Sequence, residues 1–423
     1  MVCKLRKDII AELDLGSLFR NLILDIQYII INYYHGAIYI LDDSEIKCDW
    51  GRLLKENFGQ NYDKDIYCSD DLNRIYLGNC CQEKINIVSR GAMMLVQINE
   101  RMVTVYRIVR YRNGATLVQS FELVCLGVLE FAKEIVRISC GSKHVVVQLV
   151  DRVVMAQITI LEEIKMDQFK EIGGIPMNIA DISSGFNHAL FLLTDGRLML
   201  YAGEMGKIPF VKDLPGKVVK ISCGTDHSAI VLEDGRLLTS GSNWYGQLGD
   251  KVRWDKGRSL YTYSDFHEVN NLPRNIVRLV CTHYNTFILF SDGVLMACGY
   301  NGWGELGIVD TSSWLEFRII KDVPKKIANI NGGDCFSVIQ LTDGTLLSTG
   351  YNDNYQLGYQ YKYKYKNKNF RSKYSPIMHP EKNISRIICG DYFLLIHHTD
   401  NNLTTHGLKS FKNDDYQLKL RLD

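Results

Sequence analysis

The sequence lacks an excess of either charge, is poor in proline and has no long apolar run. Lys and Arg number 49 and Asp and Glu 48, which gives a net charge of +1 at pH 7, and proline occurs only 7 times. A protein that wraps nucleic acid over most of its surface is normally far more basic, so any such contact must be local. The most apolar stretch, residues 22–41, contains Asp25 and His35. It is too polar for a membrane span and instead predicts one or two buried strands, without membrane contact.

Enzyme and metal motifs are also missing. The sequence has no Gly-x-Ser-x-Gly, no His-Glu-x-x-His and no phosphate-binding Gly-Lys-Ser/Thr loop. The adjacent pair Cys80-Cys81 has no second cysteine pair at zinc-ligand spacing. The N-terminus lacks the apolar region and cleavage site of a secretory signal. We therefore predict a protein that is not an enzyme, needs no cofactor or metal, and is located in the cytoplasm or nucleus.

The chain does contain an internal repeat within an ordinary globular composition. Its residues are 46% hydrophobic and 23% charged, which is enough apolar material for a core. Four segments align, at residues 182–198, 221–237, 279–295 and 330–346. Three of them continue into the signature Gly-x-Asn-x-x-x-Gln/Glu-Leu-Gly, at residues 241–249, 299–307 and 350–358. Weaker copies open near residues 29, 87, 138 and 387, so the average spacing is about 51 residues.

Each unit is predicted to form consecutive short strands. The apolar, β-branched residues 228–232 are followed by Asp234-Gly235 and a second apolar run, which is a strong hairpin signal because glycine accepts the positive φ of a tight turn. The repeated glycines are accordingly assigned to structure: Gly185, Gly224, Gly333, Gly390, Gly196, Gly235, Gly293, Gly344, Gly249, Gly307 and Gly358.

This pattern resembles the RCC1 (regulator of chromosome condensation) family, whose repeat carries Gly-x-x-His, Asp-Gly-x-Leu and Asn-x-x-x-Gln-Leu-Gly at these offsets. The resemblance implies an all-β fold, a seven-bladed β-propeller of four-stranded blades. It implies an N-terminal extension at 1–20 and a propeller at 21–410, with degenerate blades at 21–180 and well-marked repeats at 182–358. The final blade, at 384–410, would be closed by an N-terminal strand, and 411–423 would form a C-terminal tail.

Repeated histidines, aspartates and cysteines invite a functional interpretation that the repeat itself disfavours. One repeat position holds His144, His188 and His227, as a metal or catalytic ring would, but Asn285 and Phe336 occupy it in later units. A position that accepts these different side chains is a packing position. The aspartates of the Asp-Gly pairs are explained by turn geometry. Small buried side chains explain the repeated cysteines, which are Cys140, Cys223, Cys281 and Cys389.

Binding residues are predicted in long segments that follow Gln/Glu-Leu-Gly at 250–271, 308–323 and 359–382, all on one face of the disc. The stretch 359–374 alternates Tyr with Lys and has six basic residues and no acidic one. This alternation suits single-stranded nucleic acid or a phosphate backbone. The alternative is a solvated loop whose tyrosines lie on the propeller. The candidate partner-binding residues are Arg253, Lys256, Arg258, Lys362, Lys364, Lys366, Lys368, Arg371, Lys373, Tyr361, Tyr363 and Tyr365.

The functional prediction is a propeller scaffold that binds a macromolecule through this face. We expect a protein partner, with nucleic-acid binding through 359–376 as one alternative. The resemblance leaves a second alternative, guanine-nucleotide exchange on a small GTPase, because the family includes such exchange factors. The chain is rich in Ile, Asn, Lys and Tyr, a bias typical of AT-rich genomes. That bias favours a protist or giant-virus source, and with it a virion role as a further alternative.

Overall fold

The computed structural model describes Tyr62, Ile66 and residues 87–90, 93–97, 100–112, 119–157, 164–202, 209–251, 265–358, 370–377, 384–398, 402–407 and 417–421. These residues form antiparallel strands and one short 3-10 turn, Met166–Gln168. None of the described segments forms a helix that is long and apolar enough to cross a membrane.

The strands fall into seven consecutive sheets, which we number as blades 1 to 7. Blade 1 contains β1 (Ile87–Arg90), β2 (Met93–Gln97), β3 (Met102–Arg112) and β4 (Gln119–Glu130). Blade 2 contains β5 (Ile135–Cys140), β6 (His144–Leu149), β7 (Val153–Gln157) and β8 (Lys170–Glu171). Blade 3 contains β9 (Ile179–Ser184), β10 (His188–Leu193) and β11 (Leu198–Ala202). Blade 3 gains a fourth element through an isolated bridge between Met199 and Phe210.

Blades 4 to 7 repeat one four-stranded pattern with sequential neighbours. Blade 4 contains β12 (Val218–Cys223), β13 (His227–Leu232), β14 (Leu237–Gly241) and β15 (His267–Glu268), and blade 5 contains β16 (Ile276–Cys281), β17 (Asn285–Phe290), β18 (Leu295–Gly299) and β19 (Trp314–Ile319). Blade 6 contains β20 (Ile327–Gly332), β21 (Phe336–Leu341), β22 (Leu346–Tyr351) and β23 (Phe370–Pro376). Blade 7 contains β24 (Ile384–Cys389), β25 (Leu394–His398), β26 (Asn402–His406) and β27 (Gln417–Arg421).

The seven sheets close into a ring. The first strand of every blade contacts the first strands of the two neighbouring blades, and β24 of blade 7 contacts β1 of blade 1. Apolar side chains of adjacent sheets pack between the blades; Phe287 and Leu289 of blade 5, for example, join Ile330 and Ile339 of blade 6 in one core cluster. The predicted all-β, seven-bladed propeller is therefore confirmed.

Strand order and turns define two faces of this disc. The first strand of each blade begins on one side of the disc, where the Asp-Gly turns also lie, and we call this side the turn face. The first strand of each blade ends on the other side, where the Gln/Glu-Leu-Gly loops also lie, and we call this side the loop face. At the turn of blade 4, Gly235 has φ +84° and Asp234 Oδ1 accepts the backbone N–H of Arg236 at 3.1 Å. The same carboxylate-capped turn recurs at Asp195-Gly196, Asp292-Gly293 and Asp343-Gly344.

The last blade differs from the expectation. Its fourth strand is β27, which pairs with β26 in the register Leu403↔Leu420 and Thr405↔Leu418. The sequence of residues 417–421 alternates leucine with polar and basic residues, a pattern typical of a strand. Part of the stretch predicted as a tail thus belongs to the blade, in the place expected for an N-terminal strand. Residues 22–41, Cys80 and Cys81 lie outside the described residues.

Candidate protein-interaction face

The loops on the loop face of blades 4 to 6 share one hydrogen-bonded scaffold. Asn243 Oδ1 accepts the N–H of Leu248 at 2.9 Å, and Gln247 Oε1 accepts the N–H of Tyr245 at 2.9 Å. The loop ends at Gly249, whose φ is +71°. Corresponding bonds form in blades 5 and 6 around Asn301, Glu305, Asn352 and Gln356, and these loops end at Gly307 and Gly358. The repeated signature therefore builds three rigid loops side by side.

These loops present aromatic rings that contact one another across blades. The ring of Tyr245 lies 4.9 Å from that of Tyr284 in a tilted contact and 4.8 Å from that of Tyr300 in an edge-on contact. Trp303 contacts Tyr351 edge-on, with ring centroids 4.9 Å apart. We call this set, with Trp244, the aromatic surface; its members are Trp244, Tyr245, Tyr284, Tyr300, Trp303 and Tyr351.

Several of these rings are unusually open to solvent. Trp244 is 53% exposed, and Tyr245 and Trp303 are each 38% exposed. Their backbone is held by the loop scaffold, so little conformational entropy remains to be lost when a partner packs on them. Exposed, pre-positioned Trp and Tyr side chains are typical of binding surfaces.

Acidic groups border the aromatic surface at the loop-face end of the central axis. His283 Nδ1 lies 3.4 Å from Asp391 Oδ1 and 3.7 Å from Asp334 Oδ1. Burial raises the pKa of Asp334, and Asp391 adds to the rise, whereas His283 opposes it. Asp226 belongs to the corresponding turn of blade 4. This end of the axis is acidic on the side of blades 4 to 7.

Tyrosine and cysteine side chains at this site are held in their neutral forms. Burial and the nearby Asp334 raise the pKa of Tyr284 to about 12. The same two causes raise the pKa of the Cys335 thiol well above its ordinary value. Neither group can act as an anionic nucleophile near neutral pH. The arrangement suits packing and hydrogen bonding.

Glu305 is a buried carboxyl group beneath the aromatic surface, at the position that glutamine occupies in blades 4 and 6. Its Oε2 accepts the backbone N–H of Trp303 at 2.9 Å, while Oε1 is buried without a hydrogen-bond partner among the described residues. Burial raises the pKa of this carboxyl to about 8. A protonated Glu305 can replace glutamine in the loop scaffold because it still accepts from Trp303.

A long hairpin extends on the same face from blade 1. Strands β3 and β4 pair from Met102↔Glu130 to Arg112↔Gln119, whereas β2 pairs with β3 only as far as Met93↔Arg107. The five outermost pairs therefore run past the inner strands, by about 15 Å at a strand rise near 3.3 Å per residue. No sequence motif predicts a role for this segment.

Most of the predicted binding residues lie outside the described residues, including Arg253, Lys256, Arg258 and the Tyr/Lys alternation through Lys368. Arg371 and Lys373 are described, and they lie on strand β23 instead of in a loop. Tyr374, on the same strand, is partly buried, and its hydroxyl lies 2.7 Å from Ser337 Oγ. The segments predicted as insertions are thus partly blade structure, because each of the three contains the fourth strand of its blade.

The repeated histidines are completely buried between blades. His188 Nε2 is 2.8 Å from Ser228 Oγ, and His227 Nε2 is 3.0 Å from Thr286 Oγ1 of the next blade. Each imidazole also lies on the glycine three residues earlier, so that a Cβ at Gly185 or Gly224 would overlap the ring. Phenylalanine rings lie in the same way on Gly333 and Gly390.

Blade 5 shows why glycine and the ring occur together. Asn285 replaces the ring residue there, and Thr282 stands where the other units have glycine. The smaller amide leaves space for a side chain at position 282. Over the described part of the chain, no group of three or more His, Cys, Asp or Glu residues is placed to hold a metal ion.

Comparisons with known proteins agree with the repeat and with the ring of blades. A family model described as the regulator of chromosome condensation (RCC1) repeat matches residues 218–247, which form the first three strands and the loop of blade 4. Residues 218–247 therefore carry an RCC1-like repeat. The predicted resemblance to this family is confirmed.

Solved structures with a similar fold include yeast RCC1 and human WBSCR16. Prp20p of Saccharomyces cerevisiae, studied for binding to Gsp1p and histones, is 17% identical, with a TM-score of 0.59 over 69% of this chain and 77% of that chain. Yeast RCC1 (Prp20) bound to Kap60 gives 17% identity and a TM-score of 0.58 over 67% and 74%. Human WBSCR16 is 17% identical, with a TM-score of 0.54 over 71% and 83%. Identities this low establish the shared fold alone.

Proposed function

We propose that this RCC1-like propeller is a non-enzymatic scaffold that binds a protein partner through the aromatic surface. The observation that carries the proposal is the exposure of Trp244, Tyr245 and Trp303 on loops that the Asn and Gln/Glu hydrogen bonds hold rigid. Aromatic anchors on a rigid surface supply much of the binding energy of protein interfaces. We place this binding inside the cell, in the cytoplasm or nucleus.

The chemistry around the aromatic surface favours a basic partner segment. Asp334 and Asp391 lie beside the aromatic surface at the end of the axis. Asp353 Oδ2 accepts a hydrogen bond from the hydroxyl of Tyr351 at 2.7 Å. Lysine and arginine side chains can pair with these carboxylates and also lie over the aromatic faces. Protein partners of RCC1-like propellers support this choice, since Prp20p was studied for binding to histones.

Substituting the exposed tryptophans tests the proposal. We expect Trp244→Ala and Trp303→Ala each to weaken binding of purified core histones by about 30-fold, since a central aromatic anchor contributes about 2 kcal/mol. The matched control is Phe210→Ala, which removes an aromatic side chain near the turn face that is as exposed (38%) as Trp303. Calorimetric titration gives the dissociation constants. Equal losses in all three variants, or none in the tryptophan variants, would refute the proposal for this partner class.

A small GTPase is the second candidate partner, and the hairpin of β3 and β4 is the observation that favours it. The hairpin extends on the same face as the aromatic surface, and Prp20p was studied for binding to Gsp1p. We expect the full chain to accelerate release of a fluorescent guanine nucleotide from purified Gsp1p. A variant with residues 108–123 replaced by a short turn should lose this effect while Arg107 keeps its partner Val124. An unchanged release rate with the full chain would exclude exchange on this GTPase.

A further inference from the structure

The turn-face end of the central axis carries a set of charged residues that neither the repeat signature nor the proposed interface uses. The position just before the apolar residue that opens each repeat is polar or charged in blades 2 to 7. We call this set the inner ring; its members are Arg137, Asp181, Lys220, Arg278, Asn329 and Arg386.

A bulge precedes every member of the inner ring. In blade 5 the register of β16 with β17 passes from Ile276↔Phe290 to Arg278↔Leu289 and skips Val277. The same one-residue shift occurs in blades 2, 3, 4, 6 and 7. A bulge changes the direction of the residues that follow it, and bulges are over-represented next to functional sites. Six equivalent bulges therefore set six equivalent side chains at one height around the axis.

The inner ring opens into a cavity on the axis. The cavity has a volume of about 390 Å³ and is lined by the first strands of all seven blades, with Arg278, Asn329 and Arg386 among its lining residues. Deeper in the cavity, serine hydroxyls join neighbouring blades: Ser139 Oγ donates to Ser184 Oγ at 2.8 Å, and Ser222 Oγ accepts the N–H of Cys281 at 2.8 Å. The walls are polar enough to hold a hydrated or charged ligand.

Charge in the inner ring is strongly unbalanced, with four cationic side chains against the single carboxylate of Asp181. Asp181 of blade 3 interacts with Arg137 of blade 2 and with Arg386 of blade 7, so the groups approach one another across the axis. Burial, together with the positive charge of Arg278, lowers the pKa of Lys220 to about 8. Burial also lowers the pKa of Arg386. The shift of Lys220 therefore reflects a neighbouring cation as well as burial, whereas the shift of Arg386 reflects burial, which the attraction of Asp181 opposes.

We propose that the inner ring binds a small, multiply charged oxyanion of the phosphate class at the turn-face end of the axial cavity. Guanidinium groups from opposite blades can each present two N–H donors to one phosphate group, and Lys220 adds a third direction. A ligand in this position contacts several blades at once. This site is separate from the aromatic surface, which lies on the other face.

Titration of the full chain with pyrophosphate tests the site. We expect saturable binding with one ligand per chain, and a loss of about tenfold or more in affinity for Lys220→Met and for Arg386→Met. Lys220→Met removes a charge whose burial is unfavourable, so this variant should remain folded. The matched control is Lys217→Met, an exposed lysine three residues earlier on the same face, which should bind within twofold of wild type. No saturable binding, or equal losses in the Lys217 variant, would overturn the proposal.

A second measurement uses pH. Sulfate stays fully ionised across the range, so a change in its affinity reports the protein. As pH rises through about 8, Lys220, which interacts with Arg278 of the next blade, loses its charge and sulfate binding should weaken. Lys220→Arg should abolish this pH step. An identical step in Lys220→Arg, or binding of an oligonucleotide without binding of pyrophosphate, would contradict a small-anion site.

Discussion

Replacing Glu305 with glutamine is expected to raise the free energy of unfolding by about 4 kcal/mol at pH 9 and to change it little at pH 4. The cause is the buried carboxyl, whose pKa is raised from 4.5 to about 8 in the folded chain. Between these two values the unfolded chain releases a proton that the folded chain keeps. Stability therefore falls as pH rises through this window and stays low above it. Glutamine has no proton to release, so the variant escapes this loss.

The reciprocal exchange is the matched control. Gln247 is buried at the equivalent position of blade 4, where its Oε1 accepts from Tyr245. We expect Gln247→Glu to lower stability at pH 9 and to recover it in acid, the mirror image of Glu305→Gln. Urea unfolding across pH 4 to 9 gives both curves. If the Glu305→Gln and wild-type curves run parallel at every pH, Glu305 is not a buried neutral acid.

The second large effect is expected at the contact between Gly224 and His227. Gly224→Ala should cost about 3 kcal/mol, because the new Cβ would overlap the imidazole and approach the carbonyl oxygen of Thr282 at 2.8 Å. The backbone at Gly224 is not left-handed, so the cost comes from space alone. Adding His227→Asn should return more than about 1 kcal/mol of this cost, because blade 5 already combines Thr282 with Asn285.

A double-mutant cycle measured by urea unfolding tests this coupling. The control is Gly173→Ala, where an added Cβ meets nothing within 4 Å and the variant should be neutral or slightly stabilised. Strictly additive costs for Gly224→Ala and His227→Asn would show that the ring and the glycine are independent.

Much of the fold could be predicted because its determinants are local and repeated. The Asp-Gly turns and the Asn-x-x-x-Gln/Glu-Leu-Gly loops each set their own backbone, as the bonds from Asp234 and Asn243 show. The fourth strands were harder to predict. Strand β15 has two residues, and β23 follows a run of alternating Tyr and Lys, so neither carries a long apolar pattern.

The candidate interface could be placed on a face from the sequence, but its residues could not be chosen. Trp244 and Trp303 lie between repeat positions that are defined by other residues, and only the assembled blades bring them near Tyr284 and Tyr351. The available signal was the occurrence of aromatic residues in adjacent loops of blades 4 and 5. The inner ring was visible as a polar or charged position before the opening residue of blades 2 to 7, but its meaning depends on the bulges and on closure of the ring.

The central claim, a protein partner bound through the aromatic surface, is tested most directly by quantitative affinity capture from cell lysate with and without nuclease. Wild type would be compared with Trp244→Ala/Trp303→Ala and with a chain lacking residues 359–369, a deletion that spares strand β23. We predict a defined protein that resists nuclease, is lost with the double substitution and persists with the deletion. Captured material that is sensitive to nuclease and is lost only with the deletion would contradict the claim and favour a nucleic-acid contact.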